Sequence, residues 1–482
     1  MSSISMQPPL GIDGIGPTKP KGGRLASLDL FRGLTIAGML LVNNPGPGGT
    51  YAPLGHASES GMWFGWTPTD LVFPFFVFIM GVAIPFSFAK RKATDSKGEL
   101  FLHIVARGIA LFLLGDMLYA LPRTPPALPG GFEWLGWVRV YVYAFLIVGF
   151  LLLLYPWKSK RISIGVPFVV LAGFVGSWWA IHFMDLRAVG QGFDAKDFGG
   201  GLLNPDHLRI PGVLQRIGAV YLVAASLGLV LRWRGLVVAW VALIAVYLVL
   251  MVGVSYPSIE HPGTMVRNLW GEGDNFARYV DVSVFGHHVY NSYPDPEGLI
   301  STLPAIGTAI LGILCGLWLR TERELSERCA GMMAFGVMGV IGGYALSASG
   351  IPINKPLWTP SYVVLCAGLA MLGLGAFFYV ADVKMIRKPF FLLKWYGMNA
   401  ITAFVMAGIV ARVNGMIRWQ GEDGKMMSLG AYWSEHVSAW GRQVTFVGIP
   451  SHNGSLAFAL SFVAVVGVVM GVMYGMKIFL KV

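Results

Sequence analysis

Long apolar runs recur along this chain, and they constrain its fold more than any other feature. Each run has about 18 to 24 residues, the length that an α-helix needs to cross the hydrocarbon core of a bilayer. In lipid every backbone N–H and C=O must be bonded within its own segment, so such runs form helices. The sequence therefore predicts an all-α, polytopic membrane bundle of about twelve helices, at residues 26–44, 69–88, 103–121, 137–156, 162–184, 211–231, 234–254, 300–319, 330–348, 357–380, 390–412 and 455–479.

Composition and charge set the class of protein and its orientation. The chain is 55% hydrophobic and only 13% charged, with a mean hydropathy of +0.63, outside the range of soluble domains. Its net charge of +11 falls in short basic clusters between alternate runs, which is typical of cytoplasmic loops rather than of nucleic-acid binding. We therefore expect no nucleic-acid partner and both termini in the cytoplasm. The clusters are Lys19/Lys21/Arg24, Lys90/Arg91/Lys92, Lys158/Lys160/Arg161, Arg232/Arg234, Arg320/Arg323, Lys384/Arg387/Lys388 and Lys477/Lys481.

Two regions follow from the same patterns. Residues 1–23 are polar and rich in Pro, Gly and Lys, which predicts a disordered cytoplasmic lead. Residues 24–482 are expected to form one transmembrane domain without a soluble domain of its own. The predicted outward loops are long and rich in Gly, Pro, Asn, Trp and His, a composition typical of binding loops.

The stretch 24–88 carries the most informative polar residues. Its two runs begin with the acids Asp29 and Asp70, and the loop between them holds His56 after Asn43. Charged groups at membrane depth usually have a function or a partner. Asp29 and Arg32 are three residues apart, so on a helix they can form a structural ion pair; the alternative is that Arg32 contacts a bound phosphate.

Further polar residues occur inside or beside other runs. Arg107 and Arg216 lie within predicted spans, and an intramembrane arginine faces a partner or a wet cavity. The other candidates are Asp281, His288, Glu297, Asn354 and Lys355 at outward loops, and Asn399 within a span. His287 and His288 with Asp281, Asp295 and Glu297 allow a metal site, but none of them has i, i+4 ligand spacing. Hydrogen bonding to a sugar, or simple solvation of the loop, is favoured, and no metal is expected.

Eight segments together resemble one known family. They are LDLFRG, LLVNN, GHAS, TDLVFPFFVFIMG, RIPGVLQRIG, YPDPEG, IPINKPLWTPSYV and GMNAI, in that order along most of the chain. In this combination the chain resembles the heparan-alpha-glucosaminide N-acetyltransferase family, including its bacterial members that acetylate glucosamine. Two departures stand out: the large luminal N-terminal region of the lysosomal enzyme is not found, and residues 130–184 look like an extra pair of helices.

The resemblance implies a function and a set of site residues. It implies transfer of the acetyl group of cytoplasmic acetyl-coenzyme A to the amine of glucosamine, or of a glucosamine-terminated glycan, outside a bacterial inner membrane. In the family the histidine corresponding to His56 is the active-site residue and the asparagine corresponding to Asn43 lies beside it. The role of His56, as a general base or as an acetylated nucleophile, stays open.

The remaining assignments follow from this chemistry. Arg32, Arg107 and Arg216 are the candidate cations for the coenzyme phosphates, and the loop residues named above are candidates for holding the sugar. The expected partners are acetyl-coenzyme A, the acceptor and the bilayer, and the sequence also allows a homodimer. Two alternatives are a secondary transporter of a sugar, which would use the same polar residues without chemistry, and a membrane O-acyltransferase acting on surface glycans.

Overall fold

The computed structural model describes residues 25–58, 61–91, 94–120, 133–155, 157, 159–189, 209–290, 295–421, 424–443 and 449–480. The predicted N-terminal lead lies outside the described residues. In the described parts the chain forms fifteen α-helices: α1 (Ala26–Asn43), α2 (Pro68–Arg91), α3 (Lys97–Ala120), α4 (Glu133–Leu154), α5 (Lys160–Val189), α6 (Val213–Val230), α7 (Trp233–Leu248), α8 (Phe276–Phe285), α9 (Leu299–Leu319), α10 (Leu325–Ala348), α11 (Pro360–Phe378), α12 (Phe391–Met398), α13 (Ala400–Met416), α14 (Leu429–Gln443) and α15 (Pro450–Gly475).

Every predicted span falls on a helix, and the polytopic helical class is confirmed. Among the described residues ten helices are long and apolar enough to cross a membrane, and an eleventh span results if α12 and α13 are counted as one. The predicted span at 137–156 lies on α4, whose described apolar part is the shorter Ala144–Leu154. α4 and α5 also occupy the region for which an extra helix pair is predicted.

The predicted span at 390–412 is not one straight helix. α12 and α13 meet at Asn399 with a bend of 71°. The side-chain amide of Asn399 donates to the Ile478 carbonyl at 3.0 Å and accepts from the Leu480 N–H at 3.0 Å. Asn399 therefore satisfies the backbone of the C-terminal segment at the break, a role that its position in an apolar run does not show.

Glycines allow the central helices to pack closely. α9 is 72% buried and contacts α2 extensively, whereas α7 is only 17% buried and presents apolar side chains outward. A Cβ on Gly81 of α2 would lie 2.1 Å from the Ala309 carbonyl oxygen, and one on Gly312 of α9 would lie 2.2 Å from that of Phe78. Small residues at such crossings let backbones approach, the usual packing device in lipid.

The two ends of the bundle differ. We call the end where α1 begins the Asp29 end, and the end where α1 ends and α2 begins the His56 end. Loop structure in the described residues is concentrated between α7 and α9 and between α13 and α15. It includes the short antiparallel hairpins Tyr256–Pro257 with Met265–Val266, and Arg418–Gln420 with Met426–Ser428, besides the helices α8 and α14.

Candidate functional site

His56 and Asp70 meet at the His56 end, where the loop after α1 leads into α2. The Nδ1 atom of His56 lies 2.7 Å from Oδ1 of Asp70, in the first turn of α2. The other carboxylate oxygen accepts the backbone N–H of Ala57 at 3.1 Å and that of Thr67 at 3.0 Å. Asp70 is 1% exposed, so its carboxylate is fixed by the loop that it organises.

Lys355 completes this arrangement from a distant part of the chain. Its Nζ lies 2.9 Å from Nδ1 and 3.4 Å from Nε2 of His56, and 3.4 Å from Oδ1 of Asp70. We call His56, Asp70 and Lys355 the His56 triad. Lys355 stands beside Asn354, which is fully buried.

Asn354 holds the Lys355 loop in place. Its Nδ2 donates to the Trp63 carbonyl at 2.6 Å, and its Oδ1 accepts the Leu357 N–H at 2.8 Å. The first bond ties this loop to the one that carries His56. Asn354, predicted to contact substrate, is therefore placed to orient Lys355.

The hydrogen bonds define which ring nitrogen can act as a base. A carboxylate only accepts hydrogen bonds, so the 2.7 Å contact with Asp70 favours the imidazole hydrogen on Nδ1 over a bond accepted there from Lys355 at 2.9 Å. The lone pair then resides on Nε2, which is the tautomer used by histidine bases and nucleophiles. The Lys355 ammonium lies 3.4 Å from Nε2, so it is a cation beside any group that binds at this nitrogen.

A layer of buried aromatic residues supports the triad from below. Tyr362 donates its hydroxyl hydrogen to the backbone carbonyl of Asp70. Trp358 packs edge-on against Tyr362, with ring centroids 5.5 Å apart, and donates its indole N–H to Thr308 at 3.1 Å. The Arg216 guanidinium lies 5.1 Å from the centre of the Trp358 ring. The His56 triad therefore packs on a layer of buried side chains.

A cavity of about 220 Å³ opens among α1, α3, α6 and α13. Its polar lining comes from Asn43, Asn44, Tyr119, Gln215 and Arg412. The Nε2 of Gln215 donates to Asp116 at 2.7 Å, while its Oε1 is buried without a hydrogen-bond partner. The volume is below that of pockets for drug-sized ligands, so the cavity suits a small polar group.

A second charged cluster lies beside the cavity at Tyr119. Arg209 pairs with Asp295 at 2.5 Å and with Glu297 at 2.6 Å, and donates to the Tyr119 hydroxyl at 2.9 Å. Its guanidinium also lies 4.7 Å from the centre of the Tyr290 ring. Burial alone would lower the pKa of Arg209, but the two carboxylates reverse this and raise it. Both acids form ion pairs with Arg209, and these pairs connect Arg209 to the segment just before α9.

Comparison with known proteins identifies relatives of the chain. A family model described as a domain of unknown function (DUF5009) matches residues 24–184. The heparan-alpha-glucosaminide N-acetyltransferase of Mus musculus is 27% identical over 456 residues, which cover 84% of this chain and 56% of the relative. That of Homo sapiens is 29% identical over 432 residues, covering 79% and 52%.

The chain is similar to these two heparan-alpha-glucosaminide N-acetyltransferases along most of its length. The resemblance predicted from the motifs is thus confirmed, and the chain spans about half the length of the curated relatives that it matches. Of the two residues for which the N-acetyltransferase resemblance implies a catalytic role, His56 lies in the triad and Asn43 lines the cavity. Both lie at the His56 end.

The candidate coenzyme cations are not brought together. Arg32 lies at the Asp29 end, 3.6 Å from Asp29, and also donates to the Gly397 carbonyl, so the predicted structural pairing occurs. Arg107 stacks 4.8 Å from the centre of the Tyr221 ring. Arg216 lies at the other end of the bundle, 2% exposed, and donates to Ser301 and to the Gly298 carbonyl. Their roles toward an N-acetyltransferase coenzyme stay predictions.

The predicted sugar-binding residues also separate. Asp281 is 2% exposed and accepts the Leu299 N–H at 2.8 Å, which caps the start of α9. The His288 ring lies edge-on to Trp178 of α5, with centroids 6.2 Å apart. Glu297 is bound to Arg209, as described above. Sugar binding by these residues stays a prediction.

Sequence reasoning did not assign a role to three polar residues of the cavity wall, Gln215, Tyr119 and Arg412, or to Asp116, which bonds to Gln215. Gln215 adjoins Arg216 in the motif RIPGVLQRIG, so the motif was the available signal for it. Asp116, Tyr119 and Arg412 lie in apolar runs far apart in the chain, and no local pattern connects them. Only helix packing brings them to one place.

Proposed function

We propose that the protein transfers the acetyl group of acetyl-coenzyme A to the amine of glucosamine or of a glucosamine-terminated glycan. The observation that carries the proposal is the His56 triad, in a relative of N-acetyltransferases. A histidine with a carboxylate at Nδ1 and an ammonium beside its ring can move a proton and bear developing charge. The polar cavity at the same end of the bundle offers room for a small polar acceptor.

The direct route needs one proton transfer at Nε2 of His56. The neutral amine attacks the thioester carbonyl carbon, forming a C–N bond, and Nε2 takes a proton from the nitrogen. The C–S bond breaks, and the thiolate leaves with the proton returned by the imidazolium. Asp70 holds the ring and stabilises its charge, as in other histidine–carboxylate pairs.

A two-step route uses the same atoms. Nε2 attacks the carbonyl carbon first, the C–S bond breaks, and coenzyme A leaves as the thiolate while an acetyl-imidazolium forms beside Asp70. The amine then attacks the acetyl carbon, the Nε2–C bond breaks, and the proton released by the amine passes through Nε2 to the thiolate. In both routes the carbonyl oxygen becomes negative, and the Lys355 ammonium and the Asn43 amide are the residues proposed to stabilise it. Preorganised donors of this kind contribute on the order of 3 kcal/mol.

The proposal also has a direction across the membrane. The basic clusters in the sequence favour a cytoplasmic Asp29 end with both termini in the cytoplasm, and we propose the bacterial inner membrane as the location. Acetyl-coenzyme A then enters from the Asp29 end, and the acceptor binds outside at the His56 end. Single cysteines at positions 56 and 261, labelled from outside intact cells, test this placement. Labelling only after the cells are opened would contradict it.

The activity is tested by thiol release with purified protein, acetyl-coenzyme A and glucosamine. His56→Ala should abolish release, while the matched control His261→Ala, in an exposed loop, should leave it unchanged. Full release by the His56 variant would refute the assignment. Sugar uptake into vesicles without thiol release would replace it with transport, and release with only hydroxyl acceptors would replace it with O-acetylation.

Mass spectrometry separates the two routes. Protein incubated with acetyl-coenzyme A alone gains one acetyl group in the two-step route, and His56→Ala does not gain it. Wild-type protein without an adduct, but with full transfer to glucosamine, supports the direct route.

A further inference from the structure

Three basic side chains gather at the Asp29 end, away from the His56 triad. Arg91 lies in the last turn of α2, and His103 and Arg107 follow on α3. We call these three residues the basic cluster. All three side chains are half-buried, so a ligand can reach them.

The geometry of α3 and α6 brings the cluster together around Tyr221. His103 and Arg107 are four residues apart and share one face of α3. The two helices cross closely, because a Cβ on Gly218 of α6 would lie 2.6 Å from the Gly108 carbonyl oxygen. This contact sets the Arg107 guanidinium 4.8 Å from the centre of the Tyr221 ring. The charge of Arg91 acts on Arg107, on His103 and on the Tyr221 hydroxyl.

The described residues hold no acid bonded to this cluster. The nearest carboxylate, Asp95, pairs with Lys160 at 3.0 Å, and the Lys160 ammonium holds the pKa of Asp95 below its usual range. Glu99 pairs with the same Lys160 at 3.0 Å. Among the ion pairs of the described residues, none involves Arg91 or Arg107. Asp95 offsets part of the charge on Arg91 from a distance, but no carboxylate among the described residues forms an ion pair with either guanidinium.

Two polar atoms of the cluster are also unsatisfied. Nε of Arg107 and Nδ1 of His103 are buried and have no hydrogen-bond partner. Leaving such buried polar groups unpaired destabilises the folded state. Arg107 is ten residues beyond the start of α3, about 15 Å along the helix axis, so its position is deeper than that of an arginine at the helix end. An anion resolves both the repulsion and the missing bonds.

We propose that the basic cluster binds a phosphate group. Guanidinium groups suit phosphate because they offer paired N–H donors, and such bonds between charged groups are the strong ones. The phosphate belongs to the nucleotide end of coenzyme A, in which case the site rests on the proposed function, or to an anionic lipid headgroup. Arg107 lies 13 residues before the end of α3, about 20 Å from the His56 end, comparable to the reach of an extended pantetheine arm.

Binding measurements in nanodiscs test the site without relying on activity. The variants are Arg91→Gln, Arg107→Gln and the double variant, and the control is Lys90→Gln, which removes an exposed neighbouring charge. The probes are coenzyme A, 3′-dephospho-coenzyme A and pantetheine, together with melting temperature in phosphatidylglycerol against phosphatidylcholine. Melting of each variant in phosphatidylcholine shows that it is folded.

Each outcome decides the proposal. We expect coenzyme A affinity to fall at least tenfold in the double variant and to stay at the wild-type value in Lys90→Gln, with pantetheine unaffected. If coenzyme A affinity does not change but the stabilisation by phosphatidylglycerol is lost, the phosphate is that of the lipid. If neither changes in the double variant or, should that variant not fold, in Arg91→Gln, the proposal is overturned.

The result separates this site from the proposed function. Wild-type protein that neither binds coenzyme A nor releases thiol would refute the acetyltransferase proposal. The phosphatidylglycerol measurement would then decide the phosphate site by itself. Conversely, normal thiol release with unchanged coenzyme A and lipid responses would remove the phosphate site and leave the acetyltransferase in place.

Discussion

Replacing Asp70 by asparagine changes one atom of the His56 triad and its charge. The Ala57 and Thr67 N–H groups both point at Oδ2 of Asp70. In the variant these donors keep the amide oxygen on their side, so the amide NH₂ faces Nδ1 of His56. Because Nδ1 must then accept a hydrogen bond, the ring hydrogen moves to Nε2 and the base is lost.

The expected loss of activity follows from the wrong tautomer. In a histidine–aspartate pair of the same type, this change lowers kcat by about 10⁴-fold. Since the Lys355 ammonium also loses its carboxylate, we expect a decrease of about 10³-fold to 10⁴-fold, or about 4–5.5 kcal/mol in the activation free energy. The backbone donors stay satisfied, so folding should be kept, with a stability loss of about 1–3 kcal/mol.

Initial rates of thiol release at saturating substrates, with melting temperatures of the same samples, measure both effects. The matched control is Glu327→Gln, which should change the rate by less than about threefold because its ion pair with Arg323 is exposed and of small energy. A folded Asp70→Asn protein that retains a tenth or more of the wild-type rate would refute the tautomer argument.

Three further predictions concern stability. Burial raises the pKa of Asp281 from 3.8 to about 7, so the native state binds more protons than the unfolded state between these values; stability should fall by up to ~1.4 kcal/mol per unit as pH rises from about 4 to 7. Melting against pH should show a flatter profile for Asp281→Asn, whose amide oxygen still accepts the Leu299 N–H. Arg209→Met leaves two buried carboxylates unpaired and should cost about 3–5 kcal/mol, seen as a lower melting temperature. Gly397→Ala should strongly destabilise, because its Cβ would lie 1.7 Å from the Asp29 carbonyl oxygen.

Matched variants control these measurements. Arg323→Met breaks an exposed pair with Glu327 and should change the melting temperature little. Gly98→Ala adds a Cβ with nothing within 4 Å and should be neutral. Equal melting of Arg209→Met and Arg323→Met, or of the two glycine variants, would contradict the contact arguments. An unchanged pH profile in Asp281→Asn would show that this carboxyl does not set the slope.

The candidate site was only partly predictable. The sequence pointed to His56 and Asp70 because His56 lies in the loop between two predicted spans and Asp70 lies at the start of the second. Lys355 was expected to hold sugar, yet it lies against His56 from 299 residues away along the chain. The cavity needs side chains from four helices, and the basic cluster needs two, with Tyr221 on a third. No local pattern records which helices become neighbours.

What the sequence determined by itself is the set of elements. Span length and apolar composition are local properties, and lipid requires each span to satisfy its own backbone, so the helices could be placed from the sequence. Tertiary structure decided which faces meet. Close crossings at glycines set the helix neighbours. The Asn399 bonds to the C-terminal segment accompany the 71° bend. The Arg216 guanidinium packs against the Trp358 ring and does not lie with Arg107. These outcomes depend on contacts between residues remote in the chain, which hydropathy and spacing do not encode.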